Sequence, residues 1–149
     1  MFDMPLIERE IKLEKVIGTE AQIRMLFDIL KTRTHNISNK VNPLLNEHIR
    51  FVRNHPYRAW YLIKMNLNYI GTAYLMKSNC VGINLISNVD VFPYVVQLIL
   101  EKHKPLKEIK SVRPPFFYIN IAPNNKEVKY QLTKLNAQLI QSTFILTPT

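Results

Sequence analysis

Few side chains in this chain of 149 residues can move protons or hold metals, and their spacing is informative. Histidines stand at His35, His48, His55 and His103, and one adjoins a carboxylate in Glu47-His48. A neutral imidazole or an ionised carboxylate accepts protons near neutral pH, so this pair is equipped for general-base work. No His-Glu-x-x-His word occurs, and His48 and His55 are seven apart with Pro56 following, so the histidines show no metal-ligand pattern. Cys80 is alone, which excludes an intrachain disulfide and a zinc site built from thiolates. No metal is expected.

Twenty Lys and Arg against eleven Asp and Glu give a formal charge of +9. That excess favours anionic partners: nucleic acid, acidic lipid, a nucleotide-sugar or coenzyme A. The basic residues are scattered, without a block of five or six. Arg50, Arg53 and Arg58 interleave with Tyr57, Trp60 and Tyr61 in the manner of an RNA-binding surface. Aromatic residues in alternating strands more often belong to a core, so nucleic acid is disfavoured as a partner. The opening Met1-Phe2-Asp3-Met4-Pro5 leads into acidic positions, with no apolar run of signal-peptide length. The longest apolar stretches fall far short of the ~20 residues that span a bilayer. A soluble cytoplasmic protein without a membrane partner is the expectation.

The elements that must position these groups follow from periodicity. Residues 8–17 alternate around Ile11 and Leu13 and predict a strand. Thr19 predicts the cap of a helix carrying Ile23, Leu26, Ile29 and Leu30 on one broad side. Residues 32–42 read as a polar loop, and Pro43 suits the first turn of a second helix with Leu44, His48, Phe51 and Val52 at helical spacing. Residues 57–64, 69–76 and 80–86 are rich in aromatic and β-branched side chains and predict three strands joined by two short hairpins. Phe92, Val95, Val96, Ile99 and Leu100 form a helical stripe that Pro105 bounds. Residues 116–121 predict a strand, Asn125 a helix cap, and residues 138–146 a last strand. The order is β-α-α-β-β-β-α-β-α-β in one domain, residues 1–149, of mixed α/β (α+β-like) class. Its strand-helix-strand succession requires a parallel pair.

This order, with the words that fill it, resembles the GNAT superfamily of acyl-CoA-dependent N-acetyltransferases. The words are His55-Pro56-Tyr57-Arg58-Ala59-Trp60-Tyr61, Tyr69-Ile70-Gly71-Thr72-Ala73-Tyr74, Asn79-Cys80-Val81-Gly82-Ile83 and Asn120-Ile121-Ala122-Pro123-Asn124-Asn125. They resemble a branch whose members often act on nucleotide-linked amino-sugars. The resemblance implies a central mixed sheet of six to seven strands flanked by about four helices, with acetyl-CoA as co-substrate and a small-molecule amine as acceptor. It implies that the fourth and fifth strands splay, freeing backbone groups of Val81, Ile83 and Leu85 for the cofactor. Asn125 is implied to lie near the pantetheine arm. Glu47 or His48 is implied as base, Asn84 as a group on substrate or water, Tyr130 as the remaining acid, and His35 and Asn36 as acceptor contacts.

The chain departs from the family where pyrophosphate is held. An Arg/Gln-x-x-Gly-x-Gly/Ala loop is replaced by Ser87-Asn88-Val89-Asp90-Val91-Phe92-Pro93-Tyr94, which has no glycine. Glycine there permits positive φ and close backbone approach. Pro93 has no N–H, Asp90 is negative, and Leu132 stands where relatives place an acid-donating tyrosine. Lys126 and Lys129 are the cations available to compensate. The leading expectation is a small-molecule N-acetyltransferase. The alternative is a degenerate, non-catalytic GNAT-like binding or scaffolding module with a closed groove between the fourth and fifth strands. Apolar residues of the last strand suggest a homodimer.

Overall fold

A computed structural model describes residues 9–32 and 44–148. Among these the strands are β1 (Ile11–Lys15), β2 (Ala59–Met65), β3 (Asn68–Leu75), β4 (Cys80–Leu85) and β5 (Tyr118–Ile119). The helices are α1 (Glu20–Thr32), α2 (Leu45–Arg53), α3 (Phe92–Lys102) and α4 (Lys126–Lys134). The strands form one sheet in the order β1-β2-β3-β4-β5, antiparallel except for the parallel β4–β5 pair. The class is mixed α/β, and the parallel pair lies across α3 as the element order requires.

The turn chemistry compensates for a chain with only three glycines. Asn66 turns β2 into β3 at φ 54° and Asn79 turns β3 into β4 at φ 72°. Asparagine tolerates this left-handed conformation because its short amide can bond to nearby backbone. Asn79 is fully buried; its Nδ2 donates to the carbonyls of Leu106 and Pro114, and its Oδ1 accepts from Leu106 N–H. One side chain thus pins the 103–117 connection to the sheet. Gln22 serves the other end of the molecule: its Oε1 accepts from Ile17 and Gly18 N–H, and its Nε2 donates to the Lys15 carbonyl. Thr19 Oγ1 accepts from Gln22 N–H, making the expected cap of α1.

Because strand side chains alternate, the sheet has two apolar faces. Ile63, Ala73, Leu75 and Val81 pack against Val91, Val95 and Ile99 at α3. On the opposite face Trp60 and Leu62 pack against Ile23, Leu26 and Ile29 of α1 and Val52 of α2.

Two expectations are corrected. The described residues hold five strands, not six to seven, because residues 138–146 form no strand. Leu139, Phe144, Ile145 and Leu146 are more than 80% exposed there. Their apolar and β-branched types suit a strand, but a strand exists only against a partner, and none of the described strands pairs with it. The strand expected over 116–121 is similarly reduced to Tyr118–Ile119. Pro43 lies outside the described residues; α2 begins at Leu45.

Candidate active site

A cavity of about 310 Å³ lies between α1, α2 and the adjacent sheet face. Helix α1 closes it with Leu26, Ile29 and Leu30, and α2 contributes Glu47, His48 and Phe51. The sheet supplies Trp60, Thr72, Tyr74 and Asn84, with Tyr57 just before β2. This grouping follows from register: Trp60 is opposite Tyr74, and Thr72 is opposite Asn84. Gly82, opposite Tyr74, is required because a Cβ there would collide with the Tyr74 ring. Tyr74 stacks on Tyr57 with ring centroids 4.4 Å apart and planes 14° apart, and Trp60 meets Tyr57 edge-on at 5.1 Å.

The polar groups differ in how far they are committed. Glu47 is exposed, and its Oε2 accepts from the Leu44 N–H at 3.3 Å, capping α2. His48 is buried, with Nε2 3.1 Å from the Ile23 carbonyl. Burial pushes its pKa below the ordinary 6.5, partly offset by that carbonyl. Asn84 Nδ2 is buried without a hydrogen-bond partner. A buried unpaired amide costs roughly 1–3 kcal/mol and points to an absent partner.

Asn84 also marks the point where the cavity meets an open sheet edge. The β4–β5 pairing consists of Cys80↔Tyr118 and Val81↔Ile119. The Met76 N–H donates to Cys80 O and the Ile86 N–H to Ile70 O. The alternation between these bonds turns the backbone groups of even-numbered β4 residues toward β3. Val81, Ile83 and Leu85 therefore turn theirs to the other side. Past Val81 that edge has no strand partner among the described residues, because β5 ends at Ile119.

The glycine-free loop is a compact 3-10 turn, Val89–Val91, entered through Asn88 at φ 55°. Val91 N–H donates to Asn88 O, Phe92 N–H donates to Val89 O, and Pro93 has no donor. Asp90 is held by Arg9, Nη1 to Oδ2 2.6 Å. Phe92 and Val91 are fully buried. Helix N-termini attract anions through free N–H groups; here Val91 and Phe92 spend theirs within the turn and Pro93 has none.

The expected residues thus separate. Glu47, His48 and Asn84 share the cavity; Val81 pairs with Ile119 of β5, and Ile83 and Leu85 lie on the same edge beyond that pair. Asn125 Oδ1 accepts from Val128 N–H, so it caps α4 as expected. Lys129 Nζ donates to the Pro123 carbonyl at 2.8 Å. Tyr130 is 61% exposed with Lys134 over its ring, away from the cavity walls. His35 and Asn36 lie outside the described residues. Sequence reasoning missed the aromatic walls, having assigned such residues to a core; Tyr74 facing Gly82 across two strands was the available signal. Compared with known proteins, the chain matches no family model, and no curated protein matches its sequence.

Proposed function

We propose that the domain is an N-acyltransferase that moves an acetyl group from acetyl-CoA to a small primary amine held in the α1/α2 cavity. The observation that carries this is the position of Asn84. Its side chain lines a cavity also walled by Glu47 and His48, while its neighbours Ile83 and Leu85 lie on the edge of β4 that β5 does not pair with. A thioester arm on that edge and an amine in the cavity meet across one strand. Bringing two reactants together in this way supplies much of an acyl transfer's rate. The amine suits the walls: ammonium over Tyr or Trp faces gains about 0.5–2 kcal/mol, and Glu47 adds a negative charge at the rim. The cavity is at the small end of ligand sites, roughly 300–1,000 Å³, which fits a sugar-sized acceptor, including the sugar end of a nucleotide-linked amino-sugar.

A second reading is favoured by the satisfied donors at the start of α3. Without a pyrophosphate cradle, the domain would bind an amine and transfer nothing, as a degenerate binding module. Calorimetric titration with acetyl-CoA and with free coenzyme A separates the two. The acyltransferase reading expects saturable binding of both. Absence of heat at millimolar ligand, with amine binding retained, leaves the module.

A further inference from the structure

The cavity contains two groups able to take a proton, and their surroundings distinguish them. A carbonyl oxygen can only accept a hydrogen bond, so the 3.1 Å contact with Ile23 places the His48 ring hydrogen on Nε2. In the neutral ring Nδ1 is then a bare lone pair. Nδ1 makes no hydrogen bond to the described residues, and the ring, only 4% exposed, lines the cavity. Phe27 packs against the ring at 5.2 Å and fixes it from the α1 side. Glu47, by contrast, is turned back onto the α2 N-terminus by its bond to Leu44.

We infer that His48 Nδ1 is the proton acceptor for an ammonium ligand in this cavity, with Ile23 O as the group that sets its tautomer and Glu47 as helix cap and rim charge. This rests on the amine-binding part of the proposed function. In acyl transfer the balance is as follows. His48 Nδ1 takes one proton from R–NH3+, leaving R–NH2. The amine nitrogen forms a bond to the thioester carbonyl carbon, and the C–S bond breaks. The second nitrogen proton passes to the departing thiolate, giving amide and free thiol, and His48 returns its proton to solvent. Burial, which holds the imidazole neutral near pH 7, agrees with that role.

Charged neighbours bear on the assignment. Glu47 faces the same cavity from α2, while the α1 wall residues Leu26, Ile29 and Leu30 and the sheet residues Thr72 and Asn84 carry no charge. Glu47 is thus the single carboxylate among the wall residues, which also include the phenols of Tyr57 and Tyr74.

Long-range proton–nitrogen NMR on the full chain reads the tautomer directly. The expected spectrum has Nε2 protonated and Nδ1 bare, and Nδ1 shifts when benzylamine or glucosamine is added as a probe. A ring hydrogen on Nδ1, or no Nδ1 response to either amine, overturns the inference whatever the activity. His48→Gln keeps an N–H able to meet Ile23 O but has no base; its kcat should fall about 100-fold or more, a larger loss than in Glu47→Gln, which removes the rim charge and should act mainly on the KM for the amine. The reverse pattern also overturns it. An Nδ1 shift with amine in a chain that transfers no acetyl group refutes the acyltransferase reading and upholds the proton acceptor.

Discussion

The two faces of the sheet are built to different standards. Toward α3, Val91, Phe92, Val95 and Ile99 are all at most 1% exposed, and the backbone donors at the turn into the helix are bonded. Toward α1 and α2, rings of similar size stop short of closing and leave a cavity, a buried unpaired amide on Asn84 and a bare imidazole nitrogen on His48. Close packing is what stability favours, and polar groups without partners are what it disfavours. Arg58 Nη1 and Gln131 Oε1 are also buried without a partner away from the cavity, so the faces differ in packing: the α3 face is closed, and the α1/α2 face leaves room for a ligand.

Substitutions that treat the faces alike should give unlike results. The largest effect is expected from Phe92→Ala, which empties a fully buried site and should cost about 3–5 kcal/mol in urea unfolding. Amine affinity of the remaining folded fraction should be unchanged; a selective loss of amine binding at full stability would mean the α3 face carries the site. Gly82→Ala acts on the other face by pushing the Tyr74 ring aside. It should weaken amine binding at least about tenfold, the worth of roughly 1.4 kcal/mol of wall contact. Unaltered calorimetry for that variant would remove Tyr74 from the site.

A smaller effect is expected from pH. Burial lowers the pKa of His48, His55 and His103 from 6.5, with Arg58 and Lys102 adding to the shift at His103. Between those lowered values and 6.5 the folded chain binds fewer protons than the unfolded chain, so stability rises with pH there and is lost as pH falls through that window. The melting temperature should fall steadily from about pH 7 to about pH 5, less steeply in His48→Gln; a flat profile contradicts burial of neutral imidazoles. The smallest change is expected from Asp90→Asn. Its side chain is half open to solvent while that of Arg9 is 8% exposed; asparagine keeps an oxygen that can accept from Arg9, so the loss should stay at about 1 kcal/mol or below.

Much of the scaffold was legible because its signals are local. Asn66 and Asn79 announce the hairpins, the Phe92–Ile99 stripe announces α3, and Asn125 announces its own cap. What failed depended on partners that no local pattern encodes. Residues 138–146 have the residue types of a strand yet pair with none of the described strands, and β5 keeps two residues of an expected six. The candidate site was half legible. Asn84 stood out between Ile83 and Leu85, and Glu47 and His48 by their place on the second helix, but nothing in their spacing shows that Glu47 is spent on a cap and His48 is not. The aromatic walls were invisible as walls, because Trp60 and Tyr74 read identically whether they close a core or face a cavity.

Acetyl transfer itself is tested most directly by following thiol release from acetyl-CoA with and without a panel of primary amines, in the wild type and in Asn84→Leu. Leucine removes the unpaired amide at similar volume, so the variant should be as stable as the parent or more so, by about 1 kcal/mol. The account predicts amine-dependent thiol release by the wild type and its loss in the stable variant. Thiol release that no amine accelerates, or that survives Asn84→Leu undiminished, would contradict it.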